Sequence, residues 1–141
     1  MKLYIVVMSI GHRRADGGPV PLYKILAMEQ DCKDVFCTFS IGGMTTALEG
    51  FYKSIKSGLL LDEPCSVILS ATLDISDADW QKLIALASRA ATQLQQESVF
   101  LARFGFGRES KLCLVSRDGV LLEYDKSSRV QVTSWEEKYA S

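Results

Sequence analysis

The chain has 141 residues, of which 48% are hydrophobic and 23% are charged, and its formal net charge is −1 at pH 7. These values are typical of one globular domain, and they exclude an intrinsically disordered chain. The absence of an excess of Lys and Arg argues against a nucleic-acid partner, because binding to phosphates depends on such an excess.

Cysteine and histidine usage gives no metal-ligand pattern. The four cysteines show no C-x-x-C spacing, and His12 is the single histidine. No segment approaches the ~20 apolar residues of a membrane span, and the apolar run near the N-terminus is too short for a signal peptide. We therefore expect a cytoplasmic protein with no metal, no cofactor and no attachment to a membrane.

The first third of the chain predicts strands. Lys2–Ile10 is rich in Ile and Val, and Gly11–Pro21 is a loop broken by its glycines and proline. Leu22–Gln30 is ambiguous, because Pro21 before an apolar stripe permits a helix while its first residues also permit a strand. We favour a strand that pairs with Lys2–Ile10.

The next stretch predicts a strand and then a helix. Val35–Ile41 has the composition of a strand. Gly42 and Gly43 interrupt it, and an apolar stripe at helical spacing follows: Met44, Leu48, Phe51, Tyr52 and Ile55. Gly58 fits the position after the end of this helix, and Leu59–Pro64 is expected to connect it to the next element.

The clearest element is a helix over Asp77–Gln95, after a strand over Ser66–Leu73. Ser76 is a suitable N-cap, and Asp77 and Asp79 lie in the first turn, where the helix dipole favours negative charge. Its apolar positions recur at helical spacing: Trp80, Leu83, Ile84, Ala87, Ala91 and Leu94.

The C-terminal third predicts a meander. Asp118-Gly119 is a strong signal for a two-residue hairpin turn. The expected strands are Ser98–Phe106, Leu112–Arg117, Val120–Tyr124 and Arg129–Thr133. Trp135–Ser141 would be a docked or frayed tail.

These elements predict a single α+β domain over residues 1–141. Its architecture would be two layers, a mostly antiparallel sheet with two amphipathic helices packed on one face and a C-terminal β-meander.

The strongest candidate for ligand binding is an anion site where a predicted strand gives way to a predicted helix. Free backbone N–H groups at a helix N-terminus attract anions, and glycines let a phosphate approach closely. Hydroxyl donors and two arginines from the loop after the first strand would complete it: Arg13, Arg14, Gly42, Gly43, Thr45 and Thr46.

Other chemistry finds less support. A nucleophilic site would need His12 with a cysteine such as Cys32 or Cys37, and no nucleophile-elbow motif accompanies them. The cluster Asp74, Asp77 and Asp79 is explained by a capped helix start, with a metal site as the alternative. The run Arg103–Arg108 has the Phe-Gly-Phe core of an RNA-binding strand but lacks the rest of that motif. We assign no catalytic residue.

The sequence therefore favours a non-catalytic cytosolic protein that acts through macromolecular interaction, as inhibitors, immunity proteins and adaptors do. Its partner would be another protein or a second copy of the chain, paired at an exposed strand edge. The alternative is a protein that binds a small molecule or nucleotide phosphate, or an enzyme acting on one, through the Gly42-Gly43 helix start with Arg13 and Arg14.

Overall fold

The computed structural model describes residues 2–40, 42–53, 57–105, 110–125 and 129–132. Within these ranges the chain forms seven strands and two helices. In chain order they are β1 (Leu3–Gly11), α1 (Leu22–Phe36), β2 (Gly43–Lys53), β3 (Leu60–Leu73), α2 (Asp77–Gln93), β4 (Val99–Gly105), β5 (Lys111–Ser116), β6 (Gly119–Asp125) and β7 (Arg129–Val132).

All the described strands belong to one antiparallel sheet with the order β2-β3-β1-β4-β5-β6-β7. Both helices pack on the same face, α1 over β2 and β3 and α2 over β4, β5 and β6. This arrangement confirms the predicted two-layer α+β fold, including the antiparallel meander from β4 to β7.

The core lies between the sheet and the helices, and alternation along β1 shows why. Tyr4, Val6, Met8 and Ile10 are buried, because successive side chains of a strand point to opposite faces. Val6, Met8 and Ile10 form one apolar cluster with residues of both helices. The other residues of β1 point to the face that carries no described helix.

Helix α2 confirms the clearest prediction from the sequence. The Ser76 hydroxyl accepts a hydrogen bond of 3.1 Å from the backbone N–H of Asp79, which satisfies one of the free donors of the first turn. Trp80 is only 3% exposed and Leu83 is fully buried. The capped start explains the aspartates, and the described residues hold no cluster of potential metal ligands.

The prediction of a strand over Leu22–Gln30 is wrong, because these residues begin α1. The prediction of a strand over Val35–Ile41 is also wrong: Val35 and Phe36 end the helix, turns follow, and Ile41 lies outside the described residues. Four side chains at helical spacing are buried, namely Ile25, Met28, Cys32 and Phe36. This buried stripe belongs to one helix that spans parts of both segments predicted to be separate strands.

The prediction of a helix over Met44–Ile55 is wrong as well. Residues Gly43–Lys53 form β2, an edge strand paired with β3 from Gly43↔Ser70 to Lys53↔Leu60, while Ile55 lies outside the described residues. Phe51, expected in the core, is 76% exposed. The connector expected over Leu59–Pro64 is largely strand, since β3 begins at Leu60.

The end of the β2–β3 hairpin extends beyond the rest of the sheet. Strand β1 ends where Gly11 pairs with Cys65. Beyond that level, among the described strands, β2 and β3 pair only with each other, through five residue pairs from Glu49↔Pro64 to Lys53↔Leu60. We call this two-stranded extension, together with Leu59, the hairpin arm.

The remaining predictions for the C-terminal third mostly agree with the fold. The β5–β6 hairpin forms, but its two turn residues are Arg117 and Asp118, one position earlier than predicted. Gly119 begins β6 and pairs with Ser116, and its φ of 113° favours glycine. The expected tail, Trp135–Ser141, lies outside the described residues. Among the described helices, none is both long and apolar enough to cross a bilayer.

Candidate active site

A cavity of about 540 Å³ opens at one end of the sheet, on the face that carries no helix. It is formed where the end of β1, the base of the hairpin arm and the turn between α2 and β4 meet. The side chains and backbone that line it belong to Ser9, Gly11, Arg13, Gly50, Phe51, Lys53, Glu63, Cys65, Gln96, Glu97, Ser98, Phe100, Leu114 and Leu122. Its volume lies within the ~300–1,000 Å³ of typical small-molecule sites.

Glu63 is the central ionisable group of this cavity. Its carboxylate lies directly over Gly11: a Cβ added to Gly11 would fall 2.5 Å from Oε1 and 2.8 Å from Oε2. The backbone N–H of Arg13 donates a hydrogen bond to the carboxylate. Oε2 is buried and has no hydrogen-bond partner among the described residues. A buried carboxylate oxygen with an unused acceptor is available to a ligand.

Burial raises the pKa of Glu63 above its ordinary value, and the charge of Glu97 acts in the same direction. The hydrogen bond from Arg13 and its positive charge oppose this rise. The cavity therefore holds a carboxylate that is less well solvated than usual and whose charge a cationic ligand would stabilise.

The side chain of Gln96 fixes the backbone at the start of the loop after β1, which is the loop that contacts Glu63. Its side-chain amide donates to the carbonyl oxygens of Gly11 and of Arg13, the latter at 3.2 Å. Its Oε1 accepts from the backbone N–H of Gly11 at 3.2 Å. One side chain thus fixes both the glycine beneath Glu63 and the backbone segment that donates to it.

The remaining lining combines charge with aromatic surface. Phe51 comes from the hairpin arm and Phe100 from β4, and Glu97 adds a second carboxylate. Carboxylates together with aromatic rings form the environment in which organic cations are bound, through charge pairing and cation–π attraction. Lys53 and Arg13 supply positive groups for an anionic end of the same ligand.

Two solved structures share this fold. A phage SAM lyase in complex with S-methyl-5′-thioadenosine is 19% identical in sequence, with 94% of this chain and 92% of that chain covered at a TM-score of 0.59. A phage SAM lyase in its apo state is 16% identical, with 81% of this chain and 90% of that chain covered at a TM-score of 0.52. The chain has the fold of the phage SAM lyases.

No family model matches the chain. No curated protein matches it either.

These neighbours correct the main functional hypothesis from the sequence. A non-catalytic protein acting through macromolecular interaction is contradicted, because the structures that share the fold over most of the chain are enzymes. The alternative, a protein that handles a small molecule, agrees better with them. The helix start that this alternative expects at Gly42-Gly43 does not form, because Gly43 is the first residue of strand β2.

The structure does not bring the residues of the predicted anion site together. Arg13 lines the cavity described above, Arg14 lines a second one, and Gly43 and Thr45 line a third. Gly43 pairs with Ser70, which pairs with Val6. Arg13 lies seven residues further along the chain, roughly 20 Å away at strand rise. Thr46 follows on the same edge strand.

His12 takes part in a separate hydrogen-bond network on the other face of the sheet. Its Nε2 lies 2.7 Å from the hydroxyl of Ser66, which donates to the carboxylate of Glu29 on α1. Burial lowers the pKa of His12, and Glu29 partly offsets this. Because the Ser66 proton is donated to Glu29, this network ties α1 to the sheet and does not activate a nucleophile.

Two of the thiols, Cys32 and Cys113, and the guanidinium of Arg103 are accounted for by packing. Burial raises the pKa values of Cys32 and Cys113 to about 12, so neither is a thiolate at neutral pH. Arg103 is 6% exposed, and its guanidinium lies 5.3 Å from the ring centroid of Tyr4 and 5.1 Å from that of Trp80. It packs between these two rings, whereas an RNA-binding strand would present it to solvent.

Sequence reasoning missed Glu63, Gln96 and Glu97. The sequence pattern predicts that Glu63 lies in a connector and that Gln96 and Glu97 are ordinary polar residues after a helix. For Gly11 the pattern predicts only the start of a loop. The signal that identifies the site is the pairing of Gly11 with Cys65, a contact between residues far apart in the chain.

Proposed function

We propose that this protein is a lyase that cleaves S-adenosylmethionine (SAM) and releases S-methyl-5′-thioadenosine. The observation that carries the proposal is the shared fold over 94% of this chain with a phage SAM lyase in complex with S-methyl-5′-thioadenosine. The cavity at Glu63 adds independent support, because its lining suits a ligand with a positive centre beside aromatic and polar parts.

The proposed product identifies the bond that breaks. S-methyl-5′-thioadenosine is SAM without the four-carbon amino-acid chain, so the bond between the sulfonium sulfur and the γ-carbon of that chain is cleaved. The electron pair of this bond remains on sulfur, which changes from a cation to a neutral thioether. In our proposal the γ-carbon takes its new bond from an oxygen of the substrate's own carboxylate, so the four-carbon chain leaves as a lactone and no co-reactant is needed. The substrate therefore carries a positive charge that the product lacks.

The residues of the cavity fit this change in charge. In our proposal the ionised Glu63 carboxylate, with its unused Oε2, accepts hydrogen bonds from the substrate and attracts its positive centre. Phe51 and Phe100 offer apolar surface for the adenosine part. Loss of the charge on cleavage weakens the attraction to Glu63 and Glu97, which favours release of the product.

The proposal is tested by incubating the purified protein with SAM and quantifying S-methyl-5′-thioadenosine by liquid chromatography and mass spectrometry. We expect its formation to scale with protein concentration. Glu63→Gln should weaken binding of the cationic substrate and lower kcat/KM about 100-fold, because loss of one partner of a buried charge pair costs on the order of 2–5 kcal/mol.

Glu49→Gln is the matched control, because Glu49 is an exposed carboxylate of β2 that does not line the cavity. It should retain the wild-type rate. The proposal is overturned if the wild-type protein forms no product and neither SAM nor S-methyl-5′-thioadenosine raises its melting temperature. An equal loss of rate in Glu63→Gln and Glu49→Gln would show that Glu63 has no specific role in the site.

We also propose that the protein acts in the cytoplasm. All four cysteines are free thiols in the structure, as expected in a reducing compartment. Fractionation of producing cells, followed by detection of the protein with an antibody, tests this. Accumulation outside the cytoplasm would contradict it.

A further inference from the structure

The loop after β1 is held from the helix-covered face of the sheet as well as from the cavity. On the helix-covered face, the Nε2 atom of His12 lies 2.7 Å from the hydroxyl of Ser66, and this hydroxyl donates to the carboxylate of Glu29 on α1. Because Ser66 is only 2% exposed, these contacts are shielded from water. We call the side chains of His12, Ser66 and Glu29 the polar bridge.

The backbone joins the polar bridge to Glu63. The N–H of His12 donates to the carbonyl oxygen of Pro64 at 2.9 Å, which fixes the loop against the residue after Glu63. The next N–H along the chain, that of Arg13, donates to the Glu63 carboxylate. A displacement of His12 would therefore disturb both the strand beside Glu63 and the donor that its carboxylate accepts from.

Alternation along β3 explains how one strand serves both faces. Successive side chains of a strand point to opposite sides, so Glu63 and Cys65 line the cavity while Ser66 contacts α1 through Glu29. A contact to the helix layer is thus three residues away from the carboxylate on the opposite face.

We propose that the polar bridge positions Glu63 by holding the backbone of His12 and Arg13 from the helix-covered face, which keeps the Arg13 N–H directed at the carboxylate. Gln96 holds the same backbone from the cavity side, so the loop is fixed from both faces. As a role in catalysis this inference rests on the proposed function. The link between the polar bridge and Glu63 is measured without SAM, so the two can fail separately.

Charged groups face both ends of this link. The ring of His12 is faced by the carboxylate of Glu29, and burial keeps the pKa of His12 below its ordinary value. The carboxylate of Glu63 is faced by Arg13 and Glu97. The His12 ring is therefore mostly neutral at pH 7, and the polar bridge acts on Glu63 through the position of the backbone and not through a charge on the ring.

Ser66→Ala breaks the polar bridge, and the pKa of Glu63 measures the consequence. NMR titration of isotope-labelled glutamate carboxyl groups gives this pKa, with the signal identified by its loss in Glu63→Gln. Ser66→Ala should raise the pKa of Glu63, because a weaker N–H donor stabilises the ionised form less. The acid limb of the SAM cleavage profile should move to higher pH with it. We expect kcat/KM to fall about tenfold, less than the ~100-fold cost of a 1 Å misplacement.

Ser70→Ala is the matched control. Ser70 is 3% exposed on the same strand and the same face. Its hydroxyl also makes two contacts, at 2.7 Å to the hydroxyl of Ser40 and at 3.0 Å to the carbonyl oxygen of Gly42, but these join β3 to the segment after α1. Both variants lose a buried hydroxyl, so their melting temperatures should fall by similar amounts. In Ser70→Ala the pKa of Glu63 and the cleavage rate should not change.

Variants of His12 test the polar bridge from its other end. His12→Ala removes the half-buried ring and leaves β3 unaltered, so it should raise the pKa of Glu63 as Ser66→Ala does. His12→Gln places a side-chain amide within reach of the Ser66 hydroxyl and should return the pKa of Glu63 to the wild-type value.

Two results would overturn the inference. One is a pKa of Glu63 that neither Ser66→Ala nor His12→Ala changes, even if the wild-type protein cleaves SAM. The other is an equal rise of this pKa in Ser70→Ala, which would show a general loosening of β3. A protein that does not cleave SAM but shows the expected pKa changes would support the positioning of Glu63 and overturn the proposed reaction.

Discussion

The two faces of the sheet differ in how they are filled. On one face, α1 and α2 cover Val6, Met8 and Ile10 in a closed apolar core. On the other, β1 presents Ile5, Val7 and Ser9, which are only half-buried, and the cavity at Glu63 lies at its end. The same strand thus contributes to stability with one set of side chains and to a binding surface with the other. The polar groups of the candidate site are kept out of the core.

The largest effect should come from truncating matched leucines on the two faces. Leu101→Ala empties a fully buried position on the helix-covered side and should lower the free energy of unfolding by about 3 kcal/mol. Leu48→Ala, on the face of the sheet that carries no described helix, should cost less than about 1 kcal/mol because Leu48 is 53% exposed. Urea denaturation of both variants measures this. Equal losses in the two variants would contradict this difference between the two faces.

Gly11→Ala should have the next largest effect and should connect stability with function. A Cβ at Gly11 would meet the Glu63 carboxylate at 2.5–2.8 Å, so the carboxylate must move, at a cost of about 1–3 kcal/mol. We expect a loss of SAM cleavage of about tenfold or more. Gly42→Ala is the control, because Gly42 does not line the cavity and a Cβ added to it would meet nothing within 4 Å. Equal rates for the two variants would contradict the placement of Glu63.

Ser76→Ala should cost about 1 kcal/mol in free energy of unfolding, because it removes the cap that accepts from the N–H of Asp79. SAM cleavage should be unchanged, since Ser76 belongs to the helix-covered side and does not line the cavity. Thermal denaturation and the product assay together measure this. A loss of activity without a loss of stability would contradict the conclusion that one face of the sheet provides stability and the other provides the candidate site.

Glu63→Gln should change the free energy of unfolding the least. At neutral pH this free energy should stay the same or increase, whereas most substitutions lower it. The folded-state pKa of Glu63 is raised by burial, so its favourable contribution is present below the ordinary pKa of 4.5 and is lost as pH rises through the raised value. At neutral pH the variant should therefore be as stable as the wild type or more stable, while losing activity. Melting temperatures between pH 4 and pH 8 measure this. A variant that is less stable at pH 8 than at pH 4, relative to the wild type, would contradict it.

The cleavage rate should rise with pH over the same range in which the contribution of Glu63 to stability falls. If the ionised carboxylate binds the substrate, the rate falls as pH is lowered through the raised pKa of Glu63. The acid limb of the pH profile should therefore lie above the ordinary value of 4.5, and it should be absent from the residual activity of Glu63→Gln.

The sequence by itself determined the elements whose local signals agree with one another. Over Asp77–Gln93, the cap at Ser76, the acidic first turn and the apolar period all favour a helix, and the structure has one. Asp118-Gly119 likewise located the β5–β6 hairpin to within one residue, because few residues besides glycine accept the backbone conformation of Gly119. These signals lie within a few residues of one another, so no distant contact is needed to interpret them.

Tertiary structure decided the rest. The apolar residues of Gly43–Lys53 fit helical spacing, and only pairing with β3 makes the segment a strand. The stripe of α1, from Ile25 to Phe36, is recognised as a helix once it is seen to pack on the sheet. The site itself depends on bringing Gly11 beneath Glu63, residues about fifty positions apart. Such a contact is created by strand register, which depends on the free energy of the whole sheet and leaves no local pattern in the sequence.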